Sequence, residues 1–286
     1  MSIAATPLRN QIAAEIQGIN FQQGLNDFSL ASLLDHWHRF PVLVFRGQFL
    51  DDASLLSLSR RLGKLDPAPN FDTEKSHADG YPEVAVVSNI VAKDGRKLGG
   101  LGDGELSWHS DMTYVQDPPV ACLLQAVEVP AEGGDTWFLD LRAAYEALPH
   151  DLKNRIGRLR LLHDAGYTSA GTARVGTRPG QGNWHPLVTT DPVSGRPCLL
   201  LGRRSNTQVE GLNASESADL LDTLWAHATQ EQFILRHSWQ PGDLLLWNNV
   251  CVMHRRDAFD PAARRLLHRT QVRRLFNVWE RFASYA

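Results

Sequence analysis

The stretch VACLLQAVEVPAEGGDTWFLD, residues 120–140, reads as strand, turn, strand. An apolar run stops at PAEGGD, whose proline and paired glycines break regular structure, and TWFLD resumes with β-favouring residues. Outward from these two strands the same grammar recurs. FILRHSW (233–239), DLLLWNN (243–249) and HRTQVRRLF (268–276) read as further strands, and LLLG near 199 as another. EVAVVSNIV (83–91) is an upstream strand. Many short strands with few helices predict a β-rich barrel or sandwich decorated by helices.

The helices declare themselves by spacing. SLASLLDHWHRF places Leu30, Leu33, Leu34 and Trp37 at helical intervals, and PVLVFRG follows as a short strand closed by Gly47. DDASLLSLSRRLGKL opens on cap-competent acids and reads as a second helix. Helices are also expected over 141–158 and in ASESADLLDTLWAHATQ (214–230). Two glycine-rich segments read as loops: KDGRKLGGLGDGEL (93–106), and the long polar run 166–184, a candidate lid over a site. No linker divides the chain, so one domain over 1–286 is expected, with a helix–strand–helix cap over about 18–66.

The formal net charge of −3 supplies no global field to attract nucleic acid or an anionic membrane, and no apolar run is long enough to span a bilayer. Three scattered cysteines, without a CxxC pair, argue against a disulfide framework and suit the reducing cytoplasm. Nothing in these numbers decides between a monomer and an assembly of identical copies.

The stretch SWHSDMTY (107–114) sets His109 two residues before Asp111. On a strand, residues two apart share a face, so the imidazole and carboxylate would point together, with Met112 and Tyr114 on the opposite, packing side. Such a pair forms a His–Asp hydrogen bond or holds a divalent metal; alone it is a weak signal. A third ligand is on offer in His254, just after the apolar strand that QPGD introduces. Two histidines and one carboxylate suit non-haem Fe(II), while a zinc hydrolase could use the same ligand types with a separate base. Arg265 and Arg269, four apart, would share a strand face, either gripping carboxylates or belonging to the solvated basic surface that Arg255, Arg256, Arg264, Arg273 and Arg274 suggest.

Taken in order, WHSDMTY, GGDTWF and PGDLLLWNN…H followed by ten residues and an arginine resemble the TauD/TfdA family of Fe(II)- and 2-oxoglutarate-dependent dioxygenases. PVLVFRGQFLDDASLLSLSRRLGKLD and HPLVTTDPVSGRPCLLL are similar to it as well, so the resemblance runs from about 18 to 275. It implies a double-stranded β-helix, or jelly-roll, core flanked by α-helices, with Fe(II) held by His109, Asp111 and His254. It implies 2-oxoglutarate and O2 as cosubstrates, with Thr136 and Arg265 on the 2-oxoglutarate carboxylate distant from the metal. Arg269 matches a position that meets the substrate's anion in sulfonate-using members. The activity implied is oxidative decarboxylation of 2-oxoglutarate to succinate and CO2, coupled to hydroxylation of a small, anionic organic molecule. The retained Asp111 speaks against halogenation, which needs that coordination position vacant.

Two departures stand out. Asn248, Asn249 and Val250 replace the family's frequent Asp-Asn-Arg run. Glu105 stands where sulfonate-using relatives tend to carry an amide, and is a candidate for a substrate amino or hydroxyl group, or else a solvated acid. His77, in a region that often covers the substrate, is a further candidate. His268 has the opposite parity to Arg265 and Arg269 and is expected to face away. The alternatives are a desaturase or tailoring oxygenase of an amino-acid-derived metabolite and, in another class, a jelly-roll protein with a non-catalytic metal.

Overall fold

The computed structural model describes residues 3–69, 76–174, 176–178 and 180–276. Its centre is a ten-stranded sheet, mostly antiparallel, whose middle is formed by Val42–Phe45, Leu244–Asn248, Ala121–Glu128, Leu266–Leu275 and Tyr81–Ser88 in that spatial order. A four-stranded sheet of Ile234–His237, Thr136–Asp140, Val252–Arg256 and Leu106–His109 packs against one face. The chain is mainly β with a jelly-roll core and few helices.

The unbroken apolar character of the middle strands has a direct cause: both of their faces are buried. Along Leu244–Asn248, Leu245 and Trp247 join the core shared with the small sheet, while Leu244 and Leu246 join a second core under the helices. Ala121–Glu128 divides likewise, Cys122 and Leu124 to one side, Ala121 and Leu123 to the other. The second core is closed by helices Asp27–Arg39 and Asp52–Leu62, which bury Leu30, Leu33, Leu34, Trp37, Leu55 and Leu62. Each helix starts on a side-chain cap, Asn26 to the Ser29 amide and Asp51 to the Ser54 amide, both at 2.8 Å. The helix–strand–helix pattern expected over 18–66 is therefore present, with its strand inserted into the large sheet.

Two expectations need correction. The helix expected over 141–158 is two, Leu141–Glu146 and His150–Ile156, because Pro149 lacks an amide hydrogen and disfavours helical geometry at Leu148. The long loop ends earlier than 184: Gly182–Pro186 is a strand paired with Arg160–Asp164. Asp164 cinches both ends of that loop by accepting hydrogen bonds from the Gly166 and Gly180 amides.

Candidate metal centre

His109 closes the strand Leu106–His109 and lies directly across from His254 on the antiparallel strand Val252–Arg256. Facing residues of neighbouring strands bring their side chains together, and here the ring centroids are 4.2 Å apart. Both imidazoles are buried. His109 Nδ1 donates to the Ser107 carbonyl at 2.7 Å, so its Nε2 keeps a free lone pair. His254 Nδ1 is buried without a hydrogen-bond partner among the described residues. Burial pushes the His254 pKa down to about 4. Burial, reinforced by the neighbouring His254 and Arg203, also lowers that of His109. Both rings are thus held neutral, the form that binds a metal.

Asp111 arrives by another route than strand alternation. The strand stops at His109, and Asp111 sits in the following turn, where Met112 takes a φ of 53°. What places it is Asn249: its Oδ1 accepts from the Asp111 amide at 2.8 Å, and its Nδ2 donates to the Asp111 and Pro119 carbonyls, both at 2.9 Å. The side chain is gripped as firmly. Asp111 Oδ2 accepts from Arg269 Nη1 at 2.8 Å and Gln271 Nε2 at 3.1 Å, leaving Oδ1 toward His109 Nε2 at 3.7 Å. Burial works to raise the carboxyl's pKa, but the Arg269 guanidinium outweighs it and holds the group well below the usual carboxylate range. One ligand atom from each of His109, Asp111 and His254 lies within 4.8 Å of the others. Two neutral imidazoles and one carboxylate could hold a divalent transition metal such as Fe(II).

The trio lies in a cleft between the two sheets that is open to solvent. Thr136 and Arg265, both buried, are part of its lining. Trp239 Nε1 donates to Thr136 Oγ1 at 2.9 Å, so the threonine's own hydrogen is free to donate to a ligand. Arg265 is almost fully buried, its Nε has no partner among the described residues, and Nη2 reaches only the Gly134 carbonyl at 3.3 Å. Burial, with the field of Arg256, pushes its pKa down to about 9. It remains a cation near neutrality, and a costly one, so an incoming carboxylate would relieve it. The glycine pair of the turn explains how that guanidinium is accommodated. Gly134 has a φ of 68°, and a Cβ there would lie 3.1 Å from Arg265 Nε.

Of the remaining expected residues, Arg269 lines the cleft, but its Nη1 is engaged by Asp111, so its charge is already answered there. Glu105 does not reach the cleft: its side chain is 65% exposed and lies 3.7 Å from Arg255 on the outer side. His77 is exposed on the short strand His77–Ala78 and does not line the cleft either. His268 does face away, meeting Asp52 at 2.5 Å. Met112 and Tyr114, expected to pack on the opposite side, line the cleft, because the turn at 111–114 cancels strand parity.

Sequence reasoning missed Gln271, Cys122, Arg256, Arg203 and Arg174. Two carried a usable signal. Gln271 is two residues beyond Arg269 on one strand, and Arg256 two beyond His254, so alternation puts each on its neighbour's face. Cys122 is placed only by the register of the folded sheet, where it pairs with Gln271.

The family model described as taurine catabolism dioxygenase TauD, TfdA family, matches residues 4–271. An alpha-ketoglutarate-dependent 2,4-dichlorophenoxyacetate dioxygenase of Cupriavidus pinatubonensis is 37% identical over 282 residues, covering 94% of this chain and 97% of its own. Pentalenolactone F synthase of Streptomyces arenae is 31% identical, covering 90% of each. The crystal structure of a taurine dioxygenase from Burkholderia xenovorans superposes with a TM-score of 0.78 at 30% identity, over 95% of this chain and 89% of that one. That of AAD-2 in complex with Mn(II) and N-oxalylglycine gives 0.79 at 28% identity, over 95% and 97%.

Proposed function

The chain belongs to the TauD/TfdA family and is an Fe(II)- and 2-oxoglutarate-dependent dioxygenase acting on a small molecule; from that premise we propose that His109, Asp111 and His254 hold the iron and that the substrate hydroxylated is a small organic acid. One domain carries the whole reaction in this reading. Iron bound there supplies the redox chemistry that couples conversion of 2-oxoglutarate and O2 to succinate and CO2 with oxidation of a substrate C–H bond.

The observation that carries the assignment is the buried trio beside an unanswered guanidinium. Arg265 takes the far carboxylate of 2-oxoglutarate as a charge-assisted pair, and the Thr136 hydroxyl donates to the same group. With that carboxylate held there, the ketoacid end of the cosubstrate is the part left to meet the trio. Gln271 and Arg269 keep Asp111 ionised and oriented, so it offers Oδ1 and not a protonated carboxyl. Leu106, Leu124 and Trp247 line the cleft with apolar surface that limits water around the reacting carbon. An acidic substrate is supported by the arginines of the cleft and by relatives named for aryloxy acids and sulfate esters. Glu105, on the outer side, gives no support to an amino-bearing substrate.

The test is succinate formation by iron-loaded enzyme supplied with 2-oxoglutarate, oxygen and a pool of aryloxy acids, sulfonates, sulfate esters and amino acids. A rise over the substrate-free rate with one of the acids, lost in His254→Ala, is the expected result. A rise with amino acids alone overturns the substrate class, and full turnover in His254→Ala overturns the ligand set.

A further inference from the structure

The cleft carries cations besides Arg265 and Arg269. Arg203, just past the strand Pro197–Leu199, and Arg174, in the loop after Arg160–Asp164, both line it. Arg203 Nη1 donates to the Tyr167 carbonyl at 2.9 Å, while its Nε is buried without a partner among the described residues. Arg174 lies over the Tyr114 ring at 4.4 Å and donates from Nη1 to the Tyr114 hydroxyl at 2.5 Å. That hydroxyl, having accepted, keeps its own hydrogen to donate. Burial first, then the charge of Arg174, lowers the pKa of Arg203.

These guanidiniums have no carboxylate of their own. Neither forms an ion pair among the described residues. Of the acids whose fields reach Arg203, Asp111 is engaged by Arg269, and both oxygens of Asp164 take backbone amides. Two like charges in a partly dry cleft are costly unless an anion answers them. Arg265 is already the proposed partner of 2-oxoglutarate, and Arg269 is spent on Asp111. The same lining also offers apolar surface, from Leu106, Met112 and Leu124.

We propose that Arg203 and Arg174, with the Tyr114 hydroxyl, form the seat for the acid group of the primary substrate, an organic monoanion with an apolar body. This assignment rests on the reading of the cleft as a dioxygenase site and deepens it. Arg269 then acts through Asp111 as a positioning residue, and the substrate's charge is read by Arg203 and Arg174. A neutral isostere leaves both cations unanswered, so the discrimination is of the strong kind, in which buried charged groups lose their partners.

Isothermal titration calorimetry on the iron-loaded protein, saturated with 2-oxoglutarate and kept free of oxygen, tests the seat. The probes are phenylacetate, phenylmethanesulfonate and the neutral phenylacetamide. At least one acid is expected to bind, at least about tenfold more tightly than the amide, as suits hydrogen bonds to charged groups. Whichever acid binds more tightly fixes the acid group that the seat prefers. Arg203→Gln and Arg174→Gln should each weaken the acid about tenfold or more without moving the amide, Arg203→Lys should recover part of the loss, and Tyr114→Phe should lose less. Acid affinity unchanged in both glutamine variants overturns the seat, as does a wild type that binds 2-oxoglutarate but neither acid. Absence of 2-oxoglutarate binding, read before any acid is added, overturns the dioxygenase reading and this inference with it.

Discussion

At the scale of single residues, Asp111 is the side chain on which the most depends. Its Oδ2 is held by Arg269 and Gln271, with the Cys122 thiol at 3.6 Å, and its backbone by Asn249. The thiol stays neutral, since burial and then Asp111 itself push its pKa up. Gln271 touches no other proposed ligand, so its loss isolates orientation from ligation. Gln271→Leu should lower Fe(II) affinity by about tenfold, within the range known for groups that orient metal ligands, while leaving 2-oxoglutarate affinity within about twofold. Equilibrium metal titration under anaerobic conditions reads both; an unchanged Fe(II) affinity would show that Arg269 alone orients the carboxylate. The pairing of Arg269 with Asp111 could not be read from sequence. Strand parity puts positions 265 and 269 on one face but says nothing of what arrives opposite them from a turn more than 150 residues away.

At the scale of elements, the strand, glycine-bearing turn and strand of residues 120–140 are legible in the sequence, but not that the two strands belong to different sheets. The turn does more than carry the chain from one sheet to the other. Gly133 and Gly134 both have positive φ, and a Cβ at Gly133 would lie 3.0 Å from the Ala258 carbonyl. A side chain at Gly134 meets Arg265 and Phe259 and must also hold a left-handed backbone, at about 1–2 kcal/mol. Gly134→Ala should therefore lower the urea midpoint and raise the KM for 2-oxoglutarate together. A variant that loses stability while keeping its KM would mean that Arg265 does not depend on the turn. The element misread most instructively is SWHSDMTY. Periodicity extends a strand through it, whereas the structure ends the strand at His109 and turns. The asparagine clamp that makes this turn profitable comes from Asn249, and local propensity carries no trace of so distant a partner.

At the scale of the molecule, three layers stack: helices, large sheet, small sheet, with the cleft between the sheets. Ligands that bind only this assembled cleft stabilise the fold by mass action, about 2.7 kcal/mol at a hundred times Kd. Thermal unfolding under anaerobic conditions should rise with Fe(II) and rise again with 2-oxoglutarate. The second increment should vanish in Arg265→Gln at the same concentration, and an equal increment in that variant would remove Arg265 from the cosubstrate's seat. The sequence alone determined the middle strands of the large sheet and the helices Asp27–Arg39, Asp52–Leu62 and Ala214–Ala228, through unbroken apolar runs and a period of 3.6. It also determined the residue types of the metal trio, because order and spacing along the chain carry them. Only the tertiary structure decided that Asp111 is presented by a turn, that Arg269 answers Asp111, that Glu105 and His77 lie outside the cleft, and that Arg174 and Arg203 face it. Each of those depends on which distant backbone passes nearby and on what charge it brings, and burial makes that charge count.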